Sequence, residues 1–522
     1  MQPELRETPI ETLANSVRSW LSGRPGGRLG LITSVDGKQL VTLVLDPLNG
    51  RAECWTSPLS GNSYRSLTNF VPQSHWFERA IYDLFGLVPE QHPRLKPILL
   101  HDEYDSKFHP LRFTERDQGK ESGHHVDPLL APRHLQSDEP EAVPISSERG
   151  AKREYKFLEV RGEGVYELPV GPIHAGVIEP GHFRFSCFGE TIVNLELRLG
   201  YVHRGVEKRI TEVPWRRARF VAEAAASDTA AANALAHAVA IESLFGVTPP
   251  PRAQAMRTLA LEIERLAVHI VDVGGMGTDT GFLAVSATCG RLRGKALALG
   301  EMLSGSRFLR AFIFPGGVRD VKEAHLEMMK KTARQLKEEL RPIFEILREN
   351  QTAKERMQNI GTISTSLANE FGLVGVAARA CGINYDCRQH FPHGSYPQDA
   401  PPPAVESGGD IFARMRVRLG EISTSFDVIN KVLENMPPGE LSVDLPDTLP
   451  KNAVGLGIVE AFRGELIHLC FTDANGEIER YAIKDPSFNN WTAISIAIRN
   501  NLIADFPLCN KSLALSYSGN DL

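Results

Sequence analysis

The stretch PRAQAMRTLALEIERLAVHIVDVGG, residues 251–275, decides the fold class of the larger part of this chain. It begins with Pro251 and ends at Gly274 and Gly275, which is the punctuation typical of a helix. We therefore predict a long helix that ends at the two glycines. Further long helical stretches follow it, so the larger part of the chain is expected to be mainly helical.

Four polar side chains on this helix are spaced to share one face. Steps of three, four and three residues separate them: Glu262, Arg265, His269 and Asp272. Residues three and four apart are neighbours on a helix surface. Two interpretations follow. The face is either exposed to solvent and carries a salt bridge, or it is a buried polar chain suited to proton movement.

Two other stretches also predict helices. FVAEAAASDTAAANALAHAVAIESLFG is rich in alanine, and such small side chains let neighbouring helices approach closely. Its lone histidine, His237, is either a satisfied core residue or, beside a redox cofactor, a proton donor, because the ordinary pKa of histidine lies near neutral. VKEAHLEMMKKTARQLKEELRPIFEILREN contains Pro342, which predicts a kink or a break.

Strand and turn signals flank the helices. Apolar stretches on either side of Asp36-Gly37 predict a hairpin, and HWFERAIYDLFGL predicts a helix that stops at Gly86. The alternation of apolar and polar residues over 193–199 predicts a half-buried strand. Near the C-terminus, Asn475-Gly476 is a hairpin turn signal.

The fold class is therefore α+β, in two domains. Residues 1–115 form a small α+β domain. Residues 151–522 form a larger, mainly helical domain with an N-terminal β-hairpin or small sheet and a short β element near Val454–Ile483. Residues 116–150 are polar and rich in Pro, Ser, Glu and His, which indicates a linker.

Composition excludes several classes of protein. The net charge of −6 gives no basic surface for nucleic acid, and no apolar run approaches the roughly 20 residues that span a bilayer. The N-terminus shows no signal-peptide pattern, so we expect a cytoplasmic chain unless a partner holds it on a membrane. The seven cysteines are scattered, and none forms C-x-x-C, which argues against a disulfide framework or a metal cluster. No G-x-G-x-x-G motif predicts a nicotinamide site.

Several motifs, taken in order, resemble two known subunits. HWFERAIYDLFGL and HPRLKPILLHDEYDSKFHPLR resemble the 30-kDa-type subunit of respiratory complex I. GPIHAGVIEPGHFRF, LGYVHRGVEKRI, AIESLFGV, PGGV and DPSFNNW resemble the complex I 49-kDa subunit and its relatives, the large subunits of membrane-bound group 4 [NiFe]-hydrogenases. The two are fused here in one chain, as in hydrogenases of the formate hydrogenlyase and hydrogenase-4 type.

The resemblance also predicts where a nickel site would lie. Hydrogenase large subunits hold nickel and iron with two C-x-x-C pairs, which correspond by counting to Ala226 and Thr229 and to Ser516 and Gly519. None of these four positions carries a thiol. We therefore expect no metal site, and a C-terminal tail that packs into the core as a strand or loop and closes an empty pocket.

In complex I the same scaffold binds quinone. The resemblance places the quinone-binding tyrosine of that family at His237, and its quinone-binding histidine at His174 or His182. It places the histidine and aspartate that couple quinone chemistry to proton pumping at His269 and Asp279. These five residues are the predicted catalytic positions, and a quinone-like molecule is the predicted acceptor.

Partners are implied by the same resemblance. The chain itself holds no cofactor, and an iron–sulfur cluster would lie in a partner that resembles the 20-kDa small subunit. Arg204, Glu207 and Lys208 match a family motif close to that contact, although a surface ion-pair cluster is the simpler interpretation. Membrane subunits of the complex I anchor and antiporter-like type would hold the chain on the cytoplasmic side of the bacterial inner membrane.

Three functions remain open from the sequence. The first is a nickel-free subunit of an oxidoreductase complex, which couples electron transfer to ion translocation. The second is a non-redox structural or conformational coupling subunit with a vestigial cavity. The third is an active [NiFe]-hydrogenase with unusual ligands.

Overall fold

A computed structural model describes residues 2–112, 155–176 and 178–522. The α+β class is confirmed. The predicted linker 116–150, with the boundaries at 115 and 150, lies outside the described residues, so the domain division stays a prediction. The strands are β1 Glu4–Glu7, β2 Arg28–Val35, β3 Gln39–Asp46, β4 Arg51–Pro58, β5 Ser63–Arg65, β6 Val88–Glu90, β7 Val165–Val170, β8 His182–Phe188, β9 Thr191–Arg198, β10 Ile313–Phe314, β11 Gly317–Val318, β12 Val454–Ala461, β13 Gly464–Thr472 and β14 Ile478–Lys484.

The helices carry most of the larger part of the chain. They are α1 Ile10–Ser22, α2 His75–Phe85, α3 Val206–Glu212, α4 Trp215–Glu223, α5 Ala230–Phe245, α6 Pro251–Asp279, α7 Leu283–Ser304, α8 Glu323–Glu349, α9 Gln351–Glu355, α10 Thr365–Glu370, α11 Gly375–Arg379, α12 Cys387–His390, α13 Tyr396–Asp399, α14 Ile411–Glu434, α15 Pro486–Ala497, α16 Phe506–Leu513 and α17 Tyr517–Asp521. Within the described ranges, no helix combines the length and the apolar character needed to cross a membrane.

The N-terminal sheet has the strand order β1-β4-β3-β2, with β1 parallel to β4 and the other pairs antiparallel. The predicted hairpin is confirmed, because β2 and β3 pair around Asp36 and Gly37, which both adopt a positive φ. Helix α2 ends at Gly86 in the left-handed conformation, as predicted.

The N-terminal part packs directly against the larger part. The rings of Phe77 on α2 and Phe488 on α15 lie 4.9 Å apart. Arg28 on β2 is buried and donates hydrogen bonds to the carbonyls of Gly372 and Leu373 at 2.9 and 3.1 Å. One apolar core therefore continues from one part into the other.

Two further sheets of three strands frame the helices. One has the order β7-β8-β9, and the other, β12-β13-β14, turns at the predicted Asn475-Gly476 position. The predicted strand over 193–199 is present as β9, but its buried residues are not confined to the apolar side. Asn194 and Glu196, on its polar side, are buried too, and Tyr155 donates a hydrogen bond to Glu196 at 2.9 Å.

Helix α5 lies unusually close to the C-terminal sheet. A Cβ at Gly457 on β12 would come within 2.0 Å of the Ala236 carbonyl oxygen, and one at Gly455 within 2.3 Å of the Ala240 oxygen. Only glycine fits such an approach. The alanine-rich helix is therefore buried almost all round, and its few polar side chains face protein rather than water.

The predicted end of the long helix at Gly274 and Gly275 is wrong, because α6 continues to Asp279. A Cβ at Gly274 would lie 2.8 Å from the Cβ of Cys289 on α7. Gly274 thus allows α6 and α7 to pack closely and does not stop the helix. Gly275 has no such neighbour, since its Cβ would meet only Lys511 at 3.8 Å.

Three other expectations about helices change. The alanine-rich stretch is interrupted, because α4 ends at Glu223 and a short turn at Ser227–Thr229 precedes α5. Ser, Asp and Thr side chains compete for backbone hydrogen bonds, which favours such a break. Pro342 does not break α8. The C-terminal tail forms the helices α16 and α17, not a strand or loop.

Candidate functional site

The polar face of α6 is buried, so the solvent-exposed interpretation is wrong. Glu262, Arg265 and His269 are at most 1% exposed, and Asp272 is half-buried. Helix α14 packs against this face with Arg418, Glu421 and Ser425, and further charged groups come from α11 to α13 and β12. We call the whole set the α6–α14 ionic cluster: Glu262, Arg265, His269, Asp272, Arg379, Asp386, Arg388, Tyr396, Arg418, Glu421, Ser425 and Glu460.

Glu421 lies at the centre of the ionic cluster. Its carboxylate accepts hydrogen bonds from Arg379 at 2.6 Å and from Arg265 at 3.1 Å, and it lies 2.9 Å from Nε2 of His269. Burial raises the pKa of Glu421, but the nearby Arg379 and His269 outweigh burial and hold the pKa well below its ordinary value. Glu421 is therefore an ionised hub that joins α6 to α11.

Glu262 forms the second centre of the cluster. It accepts hydrogen bonds from Ser425 at 2.6 Å and Arg388 at 3.1 Å, and also from the Tyr396 hydroxyl. Arg265 lies 3.4 Å away. Burial raises its pKa, but the positive charges of Arg265 and Arg388 outweigh that effect, so the pKa of Glu262 is lowered.

Glu460 is the one carboxyl group among these contacts whose pKa is raised. It accepts a hydrogen bond from Arg379 at 2.8 Å, but burial and the charge of Asp386 raise its pKa. The pKa of Glu421 is lowered instead, and pairs of titratable groups with separated pKa values suit proton transfer.

The positions predicted for nickel ligands lie in two segments that meet in space. Arg204 donates hydrogen bonds to the Ala225 carbonyl at 2.7 Å and to the Ser518 carbonyl at 3.2 Å. Arg463 pairs with Asp228 at 2.5 and 2.9 Å and also donates to the Ala514 carbonyl. Two guanidinium groups therefore bridge the segment around 226–229 and the tail.

The side chains at those positions do not fit a nickel–iron centre. Alanine and glycine have no donor atom, and neutral hydroxyls are poor substitutes for thiolates. The Ser516 hydroxyl accepts a hydrogen bond from the Gly519 amide at 2.9 Å, as a helix cap. A Cβ at Gly519 would lie 2.5 Å from the Asp485 carboxylate, so this backbone has no room for cysteine. Among the described residues, no group of three or more His, Cys, Asp and Glu side chains is arranged to hold a metal ion.

His237 is fully buried on α5 and points at the C-terminal sheet. Its Nδ1 lies 2.8 Å from the Tyr481 hydroxyl, and the same hydroxyl lies 2.8 Å from Nδ1 of His468. Burial, helped by the charge of Arg219, lowers the pKa of His237 to about 3. Burial therefore moves His237 away from the ordinary near-neutral pKa of histidine, and the ring stays neutral throughout the physiological range.

Comparison with known proteins gives the same two subunits. The family model of the respiratory-chain NADH dehydrogenase 30-kDa subunit matches residues 27–121, and that of the 49-kDa subunit matches residues 279–456. The chain therefore joins a segment similar to the 30-kDa subunit and a segment similar to the 49-kDa subunit.

The relatives of this chain belong to two kinds of complex. Formate hydrogenlyase subunit 5 of Escherichia coli (strain K12) is 29% identical over 97% of this chain and 86% of its own length. Hydrogenase-4 component G of the same organism is 29% identical, over 91% and 79%. The C/D subunit of the NADH-quinone oxidoreductase of Bdellovibrio bacteriovorus is 27% identical, over 79% and 73%. The chain is thus similar to subunits of both kinds of complex.

The two alternative histidines lie in different surroundings. Nε2 of His174 lies 3.2 Å from the Tyr517 hydroxyl on the tail helix α17. His182, at the start of β8, packs against the ring of Phe157 at 5.2 Å and lies 3.3 Å from the Gly171 carbonyl oxygen. His174 thus contacts the tail, and which of the two histidines faces the predicted cavity stays a prediction.

His269 and Asp279 are not neighbours. Ten residues of α6 separate them, which is about 15 Å along a helix. His269 belongs to the ionic cluster, whereas Asp279 accepts a hydrogen bond from Lys511 on α16 at 2.6 Å. Asp272 lies between them on α6, 4.0 Å from Nδ1 of His269, and pairs with Arg418 at 3.2 Å.

The predicted interface motif does not form a surface ion-pair cluster. Arg204 binds backbone carbonyls, as described above. Glu207 pairs with Arg480 at 2.8 Å and accepts a hydrogen bond from the Ile483 amide, so it anchors α3 to β14. Lys208 is exposed. Arg204 is exposed as well, and the contact of this motif with another subunit stays a prediction.

Sequence reasoning missed several members of the site. Arg414, Arg418, Glu421 and Ser425 follow one another at steps of four, three and four, which would have predicted a second polar helix face. The cluster residues between 379 and 396, and Glu460 on β12, have no periodic spacing that would have identified them. Glu264 was also missed. It is buried, accepts hydrogen bonds from the first amides of α5, and has its pKa raised to about 8 by burial.

Proposed function

We propose that this chain is a nickel-free peripheral subunit of a membrane-associated, complex-I-like redox complex. It receives electrons from the iron–sulfur cluster of a 20-kDa-type partner, passes them to a quinone-like acceptor, and couples the transfer to ion translocation by antiporter-like membrane subunits. It lies on the cytoplasmic side of the bacterial inner membrane. The fused architecture and the names of its relatives support the coarse part of this proposal.

The observation that carries the coupling role is the α6–α14 ionic cluster. Buried charges are costly, and a cluster of similar apolar residues would often be as stable or more stable. Titratable groups whose pKa values are pushed apart are typical of functional sites. His269 and Glu421 form the core of the proposed proton path, which continues through Asp272 toward Asp279.

At the acceptor end, His237 and His174 are the proposed contacts of the quinone headgroup. Quinone is a substrate here, and an iron–sulfur partner supplies its electrons. His237 is fully enclosed in this chain, so a headgroup reaches its ring only when neighbouring side chains move or the partner subunit opens a path.

A second function is favoured by the same enclosure. If no acceptor reaches His237, the chain is a structural or conformational coupling subunit, and the Arg463–Asp228 pair simply replaces the metal as the link to the tail. The third function, nickel hydrogenase chemistry, lacks a fitting set of ligands at the predicted positions.

The first experiment is elemental analysis of nickel and iron in the purified complex, normalised to this chain. We expect no nickel above trace, with iron accounted for by partner clusters. Nickel near one atom per chain would return the protein to the hydrogenases and refute the proposal.

The second experiment separates the redox from the structural function. Reduction of a short-chain quinone by the complex is compared between wild type, His237→Ala and a control, His325→Ala on α8. We expect a loss of about tenfold or more only in His237→Ala, in line with the contribution of a positioned acid–base or binding group. Equal rates in all three would favour the structural function.

A further inference from the structure

A continuous chain of hydrogen bonds leads from the turn before α5 to His237. The amide nitrogen of Asn233 lies 2.9 Å from the Thr229 carbonyl oxygen, and the amide oxygen of Asn233 lies 3.1 Å from Nε2 of His468. Nδ1 of His468 and Nδ1 of His237 each lie 2.8 Å from the Tyr481 hydroxyl oxygen. Each group in this chain is buried.

The direction of the first two hydrogen bonds is fixed by chemistry. The Thr229 carbonyl only accepts, so the Asn233 amide nitrogen must face it and donate. The opposite orientation would set two oxygens 2.9 Å apart. The amide oxygen of Asn233 therefore faces His468, and because this oxygen only accepts, Nε2 of His468 carries the proton.

The remaining proton positions in this series of hydrogen bonds follow because the ring of His468 is neutral. Burial, with the nearby His237, holds the pKa of His468 well below its ordinary value, so its ring is neutral and Nδ1 is an acceptor. The single Tyr481 proton is donated to that nitrogen. The Tyr481 oxygen then accepts the Nδ1 proton of His237, and Nε2 of His237 keeps a lone pair. That buried nitrogen has no hydrogen-bond partner among the residues that the structure describes.

We propose that Asn233, His468 and Tyr481 are positioning residues that hold His237 with Nε2 as a hydrogen-bond acceptor, so that its ligand is an O–H donor of the hydroquinone type. This inference rests on the proposed function, which brings an organic carrier to His237. The carbonyl oxygens of an oxidised quinone only accept hydrogen bonds and would face a second lone pair. The hydroxyl of the reduced carrier donates to Nε2 and satisfies it. The site therefore selects the hydroquinone over the quinone.

A buried water could supply the same O–H group, so the test must separate the two sources. The complex is prepared with ¹⁵N-histidine in this chain, and His237→Ala identifies the His237 signals. We expect a protonated Nδ1 and an unprotonated Nε2 that persist from pH 5 to pH 8. A protonated Nε2 in the wild-type complex would overturn the inference without reference to activity.

The ligand arm uses ubiquinol-1 and ubiquinone-1 under anaerobic conditions. We expect the hydroquinone to bind at least about tenfold more tightly, equivalent to about 1.4 kcal/mol, and to shift the Nε2 signal. Equal affinities, or a tighter quinone, would overturn the selectivity. If neither carrier binds although Nε2 is unprotonated, the O–H donor is water. In that case the proposed hydroquinone ligand and the proposed acceptor site are both refuted, and only the positioning role of Asn233, His468 and Tyr481 stands.

Variants test the positioning role separately. Tyr481→Phe frees His237 to take either tautomer, so the preference for hydroquinone should fall to within about threefold. Tyr64→Phe, at a buried tyrosine of the N-terminal part, is the matched control and should leave the preference unchanged. Asn233→Leu should act like Tyr481→Phe. The preference between the two carriers is the readout, because a merely structural role would not move it.

Discussion

Removing the charge of Glu421 should destabilise the larger part of the chain strongly. The Glu421→Gln substitution keeps the size of the side chain but leaves Arg265 and Arg379 without their shared anion, and all three side chains are at most 1% exposed. Breaking a buried pair by removing one partner typically costs about 3–5 kcal/mol. Arg265 keeps Glu262 at 3.4 Å and Arg379 keeps Glu460 at 2.8 Å, so we expect a loss near the lower end of that range.

A matched control comes from α8. Glu338 lies 3.8 Å from Arg341 in a pair whose side chains are about 70% exposed. Exposed pairs contribute about 0–1 kcal/mol, so Glu338→Gln should change little. Both variants are compared with wild type by urea unfolding, followed by circular dichroism, with attention to an unchanged slope.

The dependence on pH gives a second check. Because the folded pKa of Glu421 is below its ordinary value of 4.5, its stabilisation is present above that pH and is lost as pH falls toward the folded pKa. The gap between wild type and Glu421→Gln should therefore shrink in acid. A Glu421→Gln protein within about 1 kcal/mol of wild type at neutral pH would refute the buried ionic cluster.

Three further outcomes are expected. Gly275→Ala should raise the free energy of unfolding by about 0.5–1 kcal/mol. Gly274→Ala should lower it by about 1–2 kcal/mol, because the added methyl group overlaps α7. Equal changes in the urea midpoints of the two variants would contradict the close packing of α6 and α7. The pKa of Glu264 is raised from 4.5 to about 8, so the free energy of unfolding should fall as the pH rises through that window, by at most about 5 kcal/mol. Glu264→Gln should flatten this dependence of stability on pH in unfolding curves. Asp228→Ala should speed hydrogen exchange in residues 514–522, and unchanged exchange would show that the ion pair does not hold the tail.

Sequence patterns predicted the parts of the fold that depend on local periodicity. The hairpin at Asp36-Gly37, the stop of α2 at Gly86 and the turn at Asn475-Gly476 all depend on residues that accept a left-handed conformation or a tight turn. The failure at Gly274 has a physical reason. Glycine serves both to end helices and to allow close packing, and only the position of α7 decides between the two.

Of the two helix faces that form the candidate site, only the face of α6 was predicted from the sequence. The spacing from Glu262 to Asp272 identified the face of α6, but it could not show that the face is buried, because burial depends on what α14 brings opposite. The central contact, Glu421, comes from 152 residues later in the chain than His269. Contacts between residues this far apart in the sequence cannot be predicted from local spacing. The polar face of α14 itself, in contrast, has a regular spacing that the sequence shows.

Charged groups link the two segments in which nickel ligands were predicted. A metal with its thiolates and a carboxylate with its guanidinium are both balanced sets of charges that can join two segments. Here Arg463 reaches Asp228 on one side and the Ala514 carbonyl on the other, and Arg204 makes the same kind of bridge. The tail can therefore stay docked without a metal. The ionic cluster depends on α6 and α14 rather than on the tail, so under the proposed nickel-free function the charged core keeps its contacts.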